Sequence, residues 1–275
     1  MEHLLPQSGK NDMVRFFQRH VVAIYLHFER AGQHSAALMS AFVVSVRGQW
    51  LLFTAGHCIA DVEENLRNGW TIPRSRLIDT LGSDARFSFP VPFDYLEASP
   101  TAMCIDEKND YGVLFVRDNV QRLLQANGVV PLTEEVWEKQ PTAPDGFFMT
   151  GIVGELSAAL IDQARVTAVV LGVDEVKERP ACFAATDAFR WYGRAQMPKE
   201  GLTSLVGMSG GPIFSFKVDE DGVMRYWLHA IQSVQSARFP HDPHIAANLT
   251  LPAAGFLAQV IEGRVELDPQ ASLSP

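Results

Sequence analysis

The chain has 275 residues, 47% of them hydrophobic, with three cysteines and a formal net charge of −9. That length and apolar content suffice for a sizeable buried core, and the acidic balance argues against nucleic acid, whose recognition calls for a basic face. No block of like charge and no basic amphipathic stretch points to a membrane surface, and the first sustained apolar run, Val21 to Phe28, is too short to span a bilayer.

Before that run the chain carries Glu2, His3, Lys10, Asp12 and Arg15, unlike the uninterrupted apolar core of a secretory signal. In chain order, β-branched and aromatic runs broken by Gly, Pro, Asn or Asp predict strands at Val21 to Phe28, Ser40 to Val46, Trp50 to Ala55, Val113 to Val116, Gly146 to Val153, Val166 to Val173, Pro212 to Val218 and Met224 to Val234. Short strands at this density indicate an all-β barrel or sandwich. Three segments read as helices. Asp61 to Leu66 is a short one with Asp61 as its cap. Asp118 to Asn127 is capped by Asp118 and stopped by Gly128, with Val120, Leu123 and Leu124 as its apolar stripe, and with Pro131 to Pro144 it connects the two halves of the chain. Pro252 to Glu262 fits a closing helix with Phe256, Leu257, Val260 and Ile261 turned inward, followed by a polar tail from Asp268 to Pro275. Gly69 to Asp94 and Asp174 to Gly201 read as surface loops.

Three short segments carry chemistry. Gly207-Met208-Ser209-Gly210-Gly211-Pro212 sets a serine among glycines, where a side chain and bare amides can face one reacting atom. Thr54-Ala55-Gly56-His57-Cys58 closes one apolar run, and Asn109-Asp110-Tyr111-Gly112 opens another. A serine hydroxyl is a poor nucleophile until a neighbouring imidazole accepts its proton, and His57 is the candidate base. The imidazole needs a carboxylate to fix its tautomer, a role for Asp110. The amides of Gly207, Met208 and Ser209 are candidates for holding the oxyanion. Taken singly, each segment has a plain reading as a turn or a strand end. The hexapeptide also fits the nucleophile elbow of α/β-hydrolases, but that elbow runs straight into a helix, whereas Ile213 to Val218 alternates as a strand does.

The order His57, Asp110, Ser209 and these motifs resemble the chymotrypsin-like (trypsin-fold) serine peptidases, over roughly residues 20 to 255. In style the chain is most similar to bacterial stand-alone and HtrA-like members. The resemblance implies two packed six-stranded antiparallel β-barrels, with a first unit at 1–117, a connection at 118–144 and a second unit at 145–275. It implies a serine endopeptidase acting through an acyl-enzyme, with a peptide or protein as substrate, no cofactor, no metal, and no nucleic-acid or membrane partner. It assigns Thr203, six residues before the nucleophile, and Ser233-Val234-Gln235 to substrate binding. Thr203 lacks the carboxylate that would hold Lys or Arg, so the expected preference is a neutral, medium-sized side chain.

Met208 stands where secreted relatives carry the Asp that pairs with a freed N-terminus, which excludes activation by that route. A constitutive site and one set by an activating protein partner are both compatible with the sequence. Secreted relatives also bridge the Cys beside the catalytic His to a nearby Cys, yet Ser40 to Val44 offers none. Cys58 is therefore expected as a reduced thiol, or else paired with Cys104, and a reducing, cytoplasmic setting is expected. The alternative from another functional class is a trypsin-fold scaffold protein that has lost catalysis.

Overall fold

The computed structural model describes residues 7–79, 90–97, 103–106, 110–137, 140–159, 164–184, 190–198 and 202–250. The predicted closing helix and polar tail lie outside them. The first element, α1 (Gln7–Gln18), has no counterpart among the predicted helices. Strands β1 (Val21–Arg30), β2 (Gln33–Val46) and β3 (Gln49–Ala55) follow as a meander through two-residue turns at 31–32 and 47–48. Helix α2 (Gly56–Arg67), β4 (Thr71–Ile78), β5 (Val91–Pro92), β6 (Met103–Asp106) and β7 (Tyr111–Phe115) complete a seven-stranded antiparallel sheet in the order β5-β4-β1-β2-β3-β7-β6. It has six strands, as expected, plus the two-residue β5. The stretch read as one long loop from Gly69 thus contains a strand paired to β1.

Helices α3 (Asp118–Ala126) and α4 (Glu134–Trp137) lead to β8 (Gly146–Ile152). A small hairpin, β9 (Ala158–Ala159) with β10 (Ala164–Arg165), precedes β11 (Ala168–Glu175), β12 (Arg190–Ala195), β13 (Pro212–Val218), β14 (Met224–Gln235) and β15 (His244–Leu249). Six of these close into an antiparallel barrel, β11-β12-β15-β14-β13-β8. The second expected loop, from Asp174, likewise holds the barrel strand β12.

Two expected caps are corrected. Helix α2 starts at Gly56 rather than Asp61, with no side-chain cap, because Ile59 and Val62 already set an inward stripe one turn earlier. In α3, Asp118 sits inside the first turn, where its charge favours the helix N-terminus, and Arg117 is the uncapped flanking residue. Leu123 is 44% exposed, so only Val120 and Leu124 of its expected stripe are buried.

The apolar runs are continuous because both strand faces are covered. Val22, Ile24 and Leu26 of β1 point into the first unit's own core, with Met39, Ala41 and Val43 of β2 and Leu52 of β3. The alternate residues Phe42, Val44, Leu51 and Phe53 face the other way. There they meet Phe148, Phe214, Leu228 and Ile231 from the barrel, with Phe17 of α1 wedged between, its ring centroid 4.2 Å from that of Phe148. Period-two alternation therefore builds a core within each unit and a third between them. The catalytic candidates lie along that third seam. Among the described residues no helix is long and apolar enough to cross a membrane.

Candidate active site

Pairing register brings His57 to Asp110. Strand β3 ends at Ala55 opposite Tyr111, the first residue of β7, so the next residue of β3's continuation meets the residue preceding β7. Gly56 N donates to Asp110 O at 2.9 Å, and Asp110 takes a positive φ of 55°. His57, in the first turn of α2, then donates its backbone N–H to Asp110 Oδ1 at 2.7 Å, and its Nδ1 lies 3.1 and 3.0 Å from the two carboxylate oxygens. Ser233 of β14 donates its hydroxyl to Asp110 Oδ2. The carboxylate is thus held from α2 and from the barrel.

Ser209 occupies the turn before β13. Gly207 and Gly210 flank it with φ of +95° and +86°, backbone that side-chain-bearing residues rarely adopt. At 210 there is also no room, since a Cβ there would lie 2.2 Å from Thr54 Oγ1 and 2.5 Å from Ser40 O. Gly210 N donates to Gln232 O, and Gly211 N to Met208 O, both at 2.8 Å. Ser209 Oγ donates to Ser233 O at 3.0 Å. His57 Nε2 lies 3.6 Å from Cys58 Sγ. Among the described residues no hydrogen bond joins Ser209 to His57, so the hydroxyl must turn from Ser233 O toward Nε2 before it can be deprotonated.

Met208 N, one of the three amides read as oxyanion donors, is committed to Leu205 O at 2.9 Å. Among the described residues the Gly207 and Ser209 amides donate to no backbone acceptor and are free for a ligand. Ser40, which the sequence did not single out, supports this loop. Its buried hydroxyl donates to Gly207 O at 2.6 Å and accepts from Ile152 N at 2.8 Å, tying β2 to the Ser209 turn and to β8.

A cleft of about 490 Å³ contains His57, Asp110, Ser209 and Gly207, and is walled by Ser233, Val234 and Gln235. Thr203, expected in the pocket, lies outside this lining. Its amide and hydroxyl both bond to Glu155, each at 2.6 Å, which holds that segment on the surface. Leu205 takes a place in the wall instead, its amide held by Gln235 Oε1 at 2.7 Å. Ser233, in the cleft wall, also positions Asp110 through its hydroxyl.

The bond to the Asp110 carboxylate, aided by the contact with Cys58, pushes the His57 pKa up to about 10. Burial alone would raise Asp110, but the His57 and Ser233 hydrogen bonds outweigh it and hold the carboxylate below its usual range. Cys58 is a free, half-buried thiol packed beside the first unit's core.

No family model and no curated protein matches the sequence. Among solved structures, an inactivated protease paralogue of the scabies mite matches with a TM-score of 0.52 at 13% identity, over 90% of this chain and 96% of that one. The chain has the chymotrypsin-like fold. A thermostable serine protease from an extremophilic microorganism matches with a TM-score of 0.47 at 14% identity, over 87% and 94%. Within the chymotrypsin-like fold Ser209 is followed by strand β13, not by the helix that an α/β-hydrolase elbow requires.

Proposed function

We propose that the chain is a serine endopeptidase with His57, Asp110 and Ser209 as its catalytic residues. The observation that carries this reading is the Asp110 carboxylate, which accepts hydrogen bonds from His57 N, from His57 Nδ1 and from Ser233 Oγ in the cleft that also holds Ser209. So held, the imidazole keeps its proton on Nδ1 and offers Nε2 as the base. Ser209 Oγ attacks the peptide carbonyl carbon as its proton passes to Nε2, and the oxyanion accepts from the Gly207 and Ser209 amides. His57 returns the proton to the amine as the C–N bond breaks. Water then repeats the sequence on the acyl-enzyme, releasing the acid and restoring Ser209.

A second reading is an inactive scaffold protein on the same fold. Two observations favour it: Ser209 Oγ is engaged by Ser233 O rather than by His57, and one structural neighbour is an inactivated protease. An activating partner that turns the serine would reconcile both with catalysis. The free thiols of Cys58 and Cys182 support a reducing, cytoplasmic setting. A fluorophosphonate probe decides between enzyme and scaffold, since it modifies only an activated serine. The expected result is labelling of the wild-type chain that Ser209→Ala abolishes, with circular dichroism unchanged. Absence of labelling between about pH 6 and 10, alone and in cell extract, would overturn the endopeptidase reading.

A further inference from the structure

Arg190 opens β12 and lines the same cleft as Ser209. Its neighbour Trp191 fills the barrel core, so Arg190 stands on the opposite, outward face. Register sets Arg190 beside Asn248 of β15, and Asn248 beside Ile231 of β14. Arg190 Nε is fully buried and, among the described residues, has no hydrogen-bond partner. Asn248, only 1% exposed, supplies it none, since neither its Oδ1 nor its Nδ2 is partnered. Among the described residues the Arg190 guanidinium makes no hydrogen bond, so it is open to a polar ligand entering the cleft.

The charge of that ligand follows from what the cleft already contains. Among the described residues its ionisable side chains are His57, Asp110 and Arg190. Asp110 is occupied by His57 and Ser233, so the guanidinium is the group without a counter-charge. Access follows from the pairing of β14. Strand β13 reaches it only as far as Ile231, and Gly211 O and Gly210 N take up the N–H and C=O of Gln232. Beyond that, Val234 and Gln235 pair on one side with β15, Ser233 bulging between them and Gln232, and the edge toward Ser209 has no strand against it among the described residues. An extended peptide can add there as a strand.

We propose that Arg190 is a specificity residue for substrates with an Asp or Glu side chain on the segment lying along Ser233–Gln235. The carboxylate accepts hydrogen bonds from the guanidinium where it faces the cleft. This replaces the expected neutral side chain, and it rests on the endopeptidase reading.

The test uses the full chain and fluorogenic peptides that carry Asp, Glu, Asn, Gln, Lys or Ala at each position around the cleaved bond. Fluorophosphonate labelling of the same preparation runs alongside. At one position the acidic peptides should show a kcat/KM about 10- to 100-fold above their amide isosteres. Arg190→Gln should erase that ratio, and Arg190→Glu should shift preference toward Lys. A labelled enzyme that cleaves acidic and amide peptides equally overturns the assignment while leaving the endopeptidase reading intact. If the wild-type chain is not labelled, the endopeptidase reading falls, and fluorescence anisotropy of the same peptides on Ser209→Ala decides the rest. Tighter binding of the acidic peptide, lost in the double variant with Arg190→Gln, upholds a carboxylate site, whereas equal binding overturns it.

Discussion

Asp110 does more than orient an imidazole, because three donors converge on one carboxylate with only 13% of its side chain exposed. An ordinary imidazole value of about 6.5 is displaced upward here, since an anion fixed at 3.0 Å favours the imidazolium. Only neutral His57 can accept the serine proton, so peptidase activity should rise with pH on a limb whose midpoint lies above about 6.5. Asp110→Asn should lower kcat by about 10⁴-fold, because the amide holds the imidazole in the wrong tautomer, and move the limb back toward about 6.5. A pH–rate profile of both proteins checks this; identical midpoints would separate Asp110 from the base. At this scale the sequence showed His57, Asp110 and Ser209 because each lies in a short local pattern of Gly, Ala and Asn. Ser40 and Arg190 carry no such pattern. Their roles come from strand register and from which face of a strand looks across the seam, and Thr203 bonds to Glu155 instead of reaching the cleft.

Among the elements, the turn from Gly207 to Gly211 depends on backbone that only glycine takes without strain. Gly210→Ala adds a methyl group against Thr54 and Ser40 on the other unit, at a φ of +86°. It should destabilise the protein by about 2–4 kcal/mol and reduce probe labelling even where the fold survives, as measured by chemical denaturation and by labelling rate. Ser40→Ala should act through the same turn more mildly, about 1–3 kcal/mol, by stranding Gly207 O and Ile152 N. Strands with uninterrupted apolar runs, such as β1 and β3, were legible because their composition states the burial of both faces. Strands β12 and β15 were not. Arg190, Gly193, Arg194 and Asn248 interrupt their alternation, and Arg190 faces the cleft, where function sets the side chain.

For the molecule as a whole, the seam between the units also holds titratable groups. His20 is 1% exposed, its Nδ1 2.6 Å from Val130 O and its Nε2 accepting from Tyr226 OH at 3.2 Å. Burial pushes its pKa down to about 4, and that of His229 likewise. Both folded values lie below the unfolded one, so their contribution is complete above about pH 6.5 and is lost as pH falls toward 4. For His20 the loss is on the order of 3 kcal/mol. His57 works in the opposite sense: its raised value stabilises below pH 6.5 and the gain fades as pH rises toward 10. Tm should therefore peak near neutrality and fall on the acid side, with a shallower acid slope in His20→Phe. An unchanged slope in that variant would remove His20 from the account.

The reach of Ser40 across the seam, from the unit that carries His57 to the loop that carries Ser209, bears on how the protein can be taken apart. Neither half contains a competent centre, and each half lacks the contacts that shape the other's share of it. If the chain is the proposed endopeptidase, two fragments divided in the connection between the units would be silent separately and active only when docked. On the endopeptidase reading, catalysis is a readout of assembly.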